Sequence, residues 1–311
     1  MNGKKVNWIF LASVLLNILT VVLLVVMYPI FGMDIVSNLI VSQLIVLLPA
    51  AVGVFLAKDN LIQLAGFHKI KISTVFMVIL FTFLIMPLVT LVNAISMLFV
   101  DNTVASMSGD ILGAPFIVMF LLMGVLGPFN EELICRGIFY QGYKRSGTTM
   151  QAMLMSALLF ALMHMNFNQA AYAFVIGVLV VLLIEATGSI WSSIIVHIVI
   201  NSQQVLMLYV LEDGTEAGLD MVQEAQSMLT TDDLLLVISI YLILSAITTS
   251  LAGCVLAWIA KNEKREENLR AVWKTRKDKK EGKVFTIPLL IAIIIVFFYM
   301  GLEVLLTALL L

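Results

Sequence analysis

The sequence predicts an all-α protein: a polytopic membrane bundle of about nine transmembrane helices, with the N-terminus in the cytoplasm and the C-terminus outside. Three observations carry this. Of 311 residues, 61% are hydrophobic and 12% charged, with a mean hydropathy of +1.07, whereas a soluble domain carries roughly 25% charged residues. Apolar runs of ~20 residues recur, long enough at ~1.5 Å rise to cross a ~30 Å hydrocarbon core, and they lack the alternation of a barrel. The basic residues also segregate to alternate loops, as the positive-inside rule requires.

The first span, 7 to 30, follows Lys4 and Lys5 and lacks a small-residue cleavage site, so it reads as a retained signal anchor. The second covers 35 to 57. Gly66 to Ser73 then mixes apolar and basic residues and is expected to lie along the interface, with His68 solvated. The third span is 74 to 99 and the fourth 113 to 142, with Gly127 and Pro128 placed to kink it and open its backbone toward a cavity. Spans five to seven follow at 149 to 166, 169 to 186 and 190 to 211, and the last two at 234 to 260 and 284 to 310. Between those two, residues 261 to 283 hold ten basic and five acidic residues, a solvated excursion suited to an anionic leaflet.

Nine crossings place seventeen of the eighteen Lys and Arg on one side, Arg136 being the exception within a helix. The other side carries Asp34, Asp101, Asp110 and seven acids from Glu212 to Asp233 with no base. The net charge of −2 therefore averages two oppositely charged faces. With no repeat and no soluble linker, the chain reads as one polytopic unit in three parts: entry helices at 1–112, a core at 113–211, and the acidic loop, last helices and basic loop at 212–311. Cys135 and Cys254 sit far apart in apolar segments and read as buried thiols, neither disulfide nor metal ligands. Glu185 and Glu303 lie near helix ends, where snorkelling to water is expected. The methionines and most phenylalanines read as packing or lipid-facing residues.

Against this background Glu131, Glu132 and Arg136 stand out in one span, because an ionised side chain at mid-bilayer costs roughly 2.5–3.5 kcal/mol. Glu132 and Arg136 are i and i+4 and share a face, whereas Glu131 points about 100° away. Glu132 is thus expected to pair with Arg136 and leave Glu131 as the free carboxylate. Two of the three histidines also fall in spans, His164 four residues after Phe160, and His197 four before Asn201. A lone membrane His or Asn is commonly an interhelical hydrogen-bonding residue worth roughly 0.6 kcal/mol. Together with an unpaired glutamate, however, two imidazoles and an amide form the inventory of a hydrolytic site.

In these residues the sequence resembles the CPBP family of intramembrane proteases, the CAAX protease and bacteriocin-processing group. The family's motifs EExxxR, FxxxH and HxxxN occur as Glu131, Glu132 and Arg136, as Phe160 and His164, and as His197 and Asn201, in order on successive hydrophobic segments. The run Thr187 to Trp191 also resembles the stretch before the family's last motif, and the resemblance covers about residues 113 to 205. Cys135 departs from the aromatic that many members carry before the arginine.

The resemblance implies peptide-bond hydrolysis at the membrane. In that reading Glu131 is the general base for a water that His164 helps to hold, His197 and Asn201 donate to the oxyanion, and Glu132, Arg136 and Phe160 support them. The cofactor is either none or Zn²⁺; the metal version uses Glu131, His164 and His197 as ligands. HExxH is absent, so three helices would have to converge on the ion. Counted from the Lys144–Arg145 turn, Glu131 lies about 20 Å and His164 about 30 Å away, but His197 only about 10 Å from the start of its helix. Convergence requires helices four and five to project beyond the bilayer, or the seventh to begin outside it, which would open the site toward the cytoplasm.

An ion- or proton-coupled transporter is the rival from another class, although the paired halves with broken helices common in transporters are not evident. A non-catalytic immunity or scaffolding protein is a third reading. The expected partners are a membrane-embedded or lipid-modified peptide or protein and the lipids themselves, with no nucleic acid. Resemblance places the protein in a bacterial plasma membrane.

Overall fold

The computed structural model describes residues 1–102, 107–211, 230–274 and 283–310. Twelve helices fall among them. They are α1 (Gly3–Phe31), α2 (Ile35–Ala57), α3 (Leu61–Ala65), α4 (Ile72–Ser96), α5 (Ser108–Leu112), α6 (Phe116–Lys144), α7 (Thr149–Met163), α8 (Phe167–Thr187), α9 (Trp191–Leu211), α10 (Thr231–Asn262), α11 (Glu266–Ala271) and α12 (Ile287–Leu310). Eight of these are long and apolar enough to cross a membrane, and the protein is an integral membrane protein. With the shorter apolar helix Thr149–Met163 they match the expected total of about nine. Predicted span five is α7, whose 15 residues reach only about 22 Å.

Local chemistry sets the ends. Asp34 caps α2 by accepting from the Ser37 N–H at 2.7 Å, and Thr148 and Gln151 form a reciprocal capping box that starts α7 just after the α6 turn. Asn166 starts α8 by accepting from the Gln169 N–H at 2.8 Å. Gly188 ends α8 in the left-handed region at φ 75°, a conformation cheap only for glycine. Of the acidic loop, residues 212–229 lie outside the described residues, as do 275–282 of the basic excursion.

Contacts among loops gather the basic segments on one face. Asp59 pairs with Arg145 at 3.4 Å. The Lys71 N–H donates to Glu263 at 3.1 Å, and Arg265 Nε donates to the Glu185 carbonyl, also at 3.1 Å. Asn7 donates to the Val284 carbonyl at 2.9 Å. The helices therefore alternate in direction, and α12 runs away from the basic face as α1 does. Glu185 differs from expectation. It is 3% exposed, accepts from the Tyr140 hydroxyl at 2.8 Å and pairs with Lys144. Rather than snorkelling, it ties α8 to α6. Cys135 is buried as expected, but Cys254 is exposed on α10 and not the second buried thiol expected.

The offset that the site requires comes from α3 and the loop before α9. The Ile190 N–H donates to the Gly66 carbonyl at 3.2 Å, and the Ser189 hydroxyl donates to the His68 carbonyl. Ile190 packs at Gly137, where a Cβ would stand 3.5 Å from its Cδ1. Gly137 precedes Lys144 by seven residues, or about 10 Å along the helix. Helix α9 thus starts about 10 Å inward from the α6–α7 turn, and this brings His197 level with Glu132. The segment Gly66 to Ser73 supplies both carbonyls that hold the loop before α9.

Candidate active site

Helix α6 is not a regular α-helix. Phe120–Leu126 and Leu133–Tyr140 are π-helical, flanking the α-helical Gly127–Glu132. Wider turns of this kind leave backbone groups without their usual partners and recur at functional sites. Two carbonyls are freed for identifiable reasons. The Gly127 N–H donates to the Leu122 carbonyl, which leaves the Met123 carbonyl without it. Residue 128 is proline and has no N–H to offer the Gly124 carbonyl. Helix α9 occupies both: Asn201 Nδ2 donates to the Met123 carbonyl at 3.4 Å and the Ser202 hydroxyl to the Gly124 carbonyl at 3.1 Å. A Cβ on Gly124 would lie 2.8 Å from Ser202 Oγ, so the close approach depends on that glycine. The expectation that Gly127 and Pro128 open the backbone is met in this form.

One turn on, the predicted pairing of Glu132 with Arg136 is present, with Arg136 Nη1 donating to Glu132 Oε1 at 2.7 Å and both side chains fully buried. Glu132 does more than neutralise the arginine. The same Oε1 accepts from His197 Nδ1 at 2.9 Å, which leaves Nε2 pointing the other way, 3.8 Å from Glu131 Oε2. Glu131 is 24% exposed at its side chain and lines a cavity of about 540 Å³ with Phe160, His164, His197 and Asn201. The adjacent glutamates thus face different surroundings, one enclosed in a charge network and one on a cavity wall.

Phe160 organises the rest. The Arg136 guanidinium lies over its ring, 4.2 Å from the centroid, a favourable place for a desolvated cation. The same ring meets His164 edge-on at 5.0 Å and His197 at 5.5 Å. His164 Nδ1 donates to the Phe160 carbonyl at 2.9 Å, so its Nε2 is the nitrogen left for the cavity. Gly177 of α8 admits this stack. A Cβ there would stand 2.8 Å from the Ala157 Cα and 3.4 Å from Arg136 Nη2. No motif marks Gly177, since its role is absence of volume. Glu185 carries no local signal for a related reason: its partners Tyr140 and Lys144 lie on another helix.

Among the described residues no three His, Cys, Asp or Glu side chains form a metal-holding group. Glu131 and His197 approach each other at 3.8 Å, and His164, with Nδ1 given to a carbonyl, has only Nε2 to bring to the same ion. A three-ligand site requires bonds of about 2.0–2.2 Å to a common ion, and the side chains as placed do not fit one.

The cavity also corrects the expected direction of access. Its walls include Leu39 and Gln43 near the start of α2, Asn93 near the end of α4, Asn102 beyond that end, and Leu208 near the end of α9. All of these lie on the half of the bundle away from the basic loops, so the cavity extends away from the face that the basic loops share.

Residues 113–203, which carry all three motifs, match the model of a family described as Type II CAAX prenyl endopeptidase Rce1-like. No curated protein and no solved structure matches the chain. The motif-bearing core is thus similar to the CAAX protease family whose motifs it carries, and that similarity supports an intramembrane endopeptidase.

Proposed function

We propose that the protein hydrolyses a peptide bond of a membrane-associated peptide or protein by glutamate-activated water, with Glu131 as the base. The observation that carries this reading is the 3.8 Å approach of His197 Nε2 to Glu131 Oε2 on the wall of the cavity. That separation is too long for a hydrogen bond between them, yet it allows one water to lie about 2.8 Å from both. With Nδ1–H given to Glu132, neutral His197 offers a lone pair at Nε2, as Glu131 offers its oxygens. Two acceptors then hold the two hydrogens of one water and turn its oxygen toward a substrate carbonyl.

Attack forms the tetrahedral oxyanion as Glu131 takes the water's proton. Collapse breaks the C–N bond while Glu131 passes that proton to the departing nitrogen, giving a carboxylic acid and an amine, between which the acid's proton then moves to give carboxylate and ammonium. Asn201 uses one amide hydrogen on the Met123 carbonyl and keeps a second, which donates to the oxyanion; His164, its Nδ1 given to the Phe160 carbonyl, lines the same wall. This assignment moves the water from the Glu131–His164 pair to Glu131 and His197. Glu132, Arg136 and Phe160 are positioning residues that set the imidazole's tautomer and orientation. No step is routed through a metal. We place the protein in a bacterial plasma membrane on the family resemblance.

The test is purified protein in liposomes with a panel of membrane peptides. Wild type is expected to cleave, and Glu131→Gln to remain folded but inactive. Undiminished cleavage by Glu131→Gln removes the assigned base, and ion flux without cleavage favours the transporter reading.

A further inference from the structure

An amide from outside the motif-bearing stretch reaches the wall that holds Glu131. Gln43 of α2 lines the same cavity as Glu131, His197 and Asn201. Its Oε1 accepts from Asn130 Nδ2 at 2.9 Å, and Asn130 is a buried residue immediately before Glu131. With the oxygen held, the two Nε2 hydrogens remain, and among the described residues nothing accepts them. Nε2 is not among the enclosed polar atoms left without a partner, so it opens on the cavity. Glu131 is the one acidic residue among the cavity's lining residues, which favours turning the donor end of the amide inward. Gly127 permits this approach, because a Cβ there would stand 3.3 Å from Gln43 Nε2. Gly127 and Glu131 are i and i+4 in the α-helical turn of α6, so they share a face with Cβ positions about 5–6 Å apart. Asn201 arrives at the same place from α9. Its Nδ2 bonds the Met123 carbonyl, which the Gly127 N–H passes over for Leu122. Helix carbonyls point toward the C-terminus, so that of Met123 is aimed at Gly127. Amides from α2 and α9 thus flank Gly127, one turn from the Glu131 carboxylate.

We propose that Gln43 is a further catalytic residue, the second donor to the tetrahedral oxyanion, which it and Asn201 hold between them. This rests on the hydrolytic reading and adds to it a residue outside the matched stretch 113–203. A water about 2.8 Å from Glu131 and a carbonyl carbon about 3 Å beyond it put the carbonyl oxygen roughly one helical turn from the carboxylate. That is where the two amides stand. As the water oxygen bonds to the carbon, the C=O π pair moves onto the carbonyl oxygen, and Gln43 Nε2–H and Asn201 Nδ2–H donate to the charge. No proton leaves either amide, and the pair returns to the C=O bond when the C–N bond breaks. Donors aimed at charge that exists only in the transition state lower the barrier without tightening substrate binding. Asn130 is a positioning residue, since it holds the Gln43 oxygen so that the nitrogen faces inward.

The experiment uses full-length protein in liposomes and a membrane peptide that the wild type cleaves. Gln43→Met keeps the length of the side chain and removes its donor; Asn130→Ala breaks the same α2–α6 hydrogen bond and leaves the Gln43 amide in place. Gln43→Met is expected to lower kcat by about 10²-fold with KM nearly unchanged, and Asn130→Ala to lower it by less than about 10-fold. Two analogues of the peptide give a second readout. A phosphinic peptide, which carries a tetrahedral anion, should bind Gln43→Met about 10²-fold more weakly than wild type, whereas a ketomethylene isostere, which mimics the unreacted carbonyl, should bind both alike. A thermal midpoint near that of wild type shows that the variant is folded, and Gln43→Leu takes its place if it is not. If Gln43 only ties α2 to α6, Gln43→Met and Asn130→Ala behave alike and both analogues weaken together. Either result, or a kcat for Gln43→Met within about 3-fold of wild type, overturns the inference and leaves the protease reading intact. A wild type that cuts no peptide instead overturns the hydrolytic reading, and the role of Gln43 falls with it.

Discussion

Glu131 and Glu132 are neighbours in sequence with opposite burdens. The Glu132 carboxylate holds Arg136 at 2.7 Å and His197 at 2.9 Å with no exposure to solvent. Removing one member of such a network strands a charge in a low-dielectric interior, at a cost of about 3–5 kcal/mol. Glu132→Gln is therefore expected to lower the thermal midpoint in detergent and to abolish cleavage, since both the arginine and the imidazole lose their anchor. Glu131→Gln should leave that midpoint within a few degrees of wild type and lower kcat by at least about 10³-fold, read by thermal unfolding and peptide cleavage on one preparation. Asn201→Ala removes a donor and is expected to cost about 10²–10³ in kcat. If Glu131→Gln were the destabilising change and Glu132→Gln the silent one, the roles assigned to the pair would be reversed.

At the scale of elements, the active geometry depends on irregularity in α6 and on small residues at its contacts. Pro128 withholds a donor from the Gly124 carbonyl, which Ser202 then takes at 3.1 Å. Pro128→Ala restores an N–H that competes for that carbonyl. The thermal midpoint is expected to hold or rise, because interior proline disfavours a helix by about 3 kcal/mol. Cleavage should fall by about 10- to 100-fold as α9 loses register with α6. Gly177→Val makes the opposite kind of change: its side chain would meet Ala157 and Arg136, forcing α7 and α8 apart and lowering stability and activity together. A Pro128→Ala protein with full activity would show that the α6–α9 hooks do not set the site.

At the scale of the molecule, the basic loops share one face and the cavity extends toward the other. Single cysteines, introduced after replacing Cys135 and Cys254, test this in intact cells. A membrane-impermeant maleimide should label Asp101→Cys and Asp232→Cys directly, but Lys69→Cys and Lys261→Cys only after permeabilisation. The reverse pattern would invert the topology and the side from which substrate arrives.

The sequence by itself determined the membrane class, the helix succession, the Glu132–Arg136 pair and the motif residues that line the cavity. These follow from hydropathy, charge asymmetry and i, i+4 spacing, which are properties of one segment at a time. Tertiary structure decided what passes between segments. The inward start of α9 depends on the Ile190–Gly66 and Ser189–His68 hydrogen bonds, and the Glu132–His197 bond joins residues 65 positions apart. The direction of the cavity depends on where the ends of α2, α4 and α9 stand relative to one another. None of these has a local sequence signal, because a helix fixes which face its side chains share but not how deep its neighbour begins.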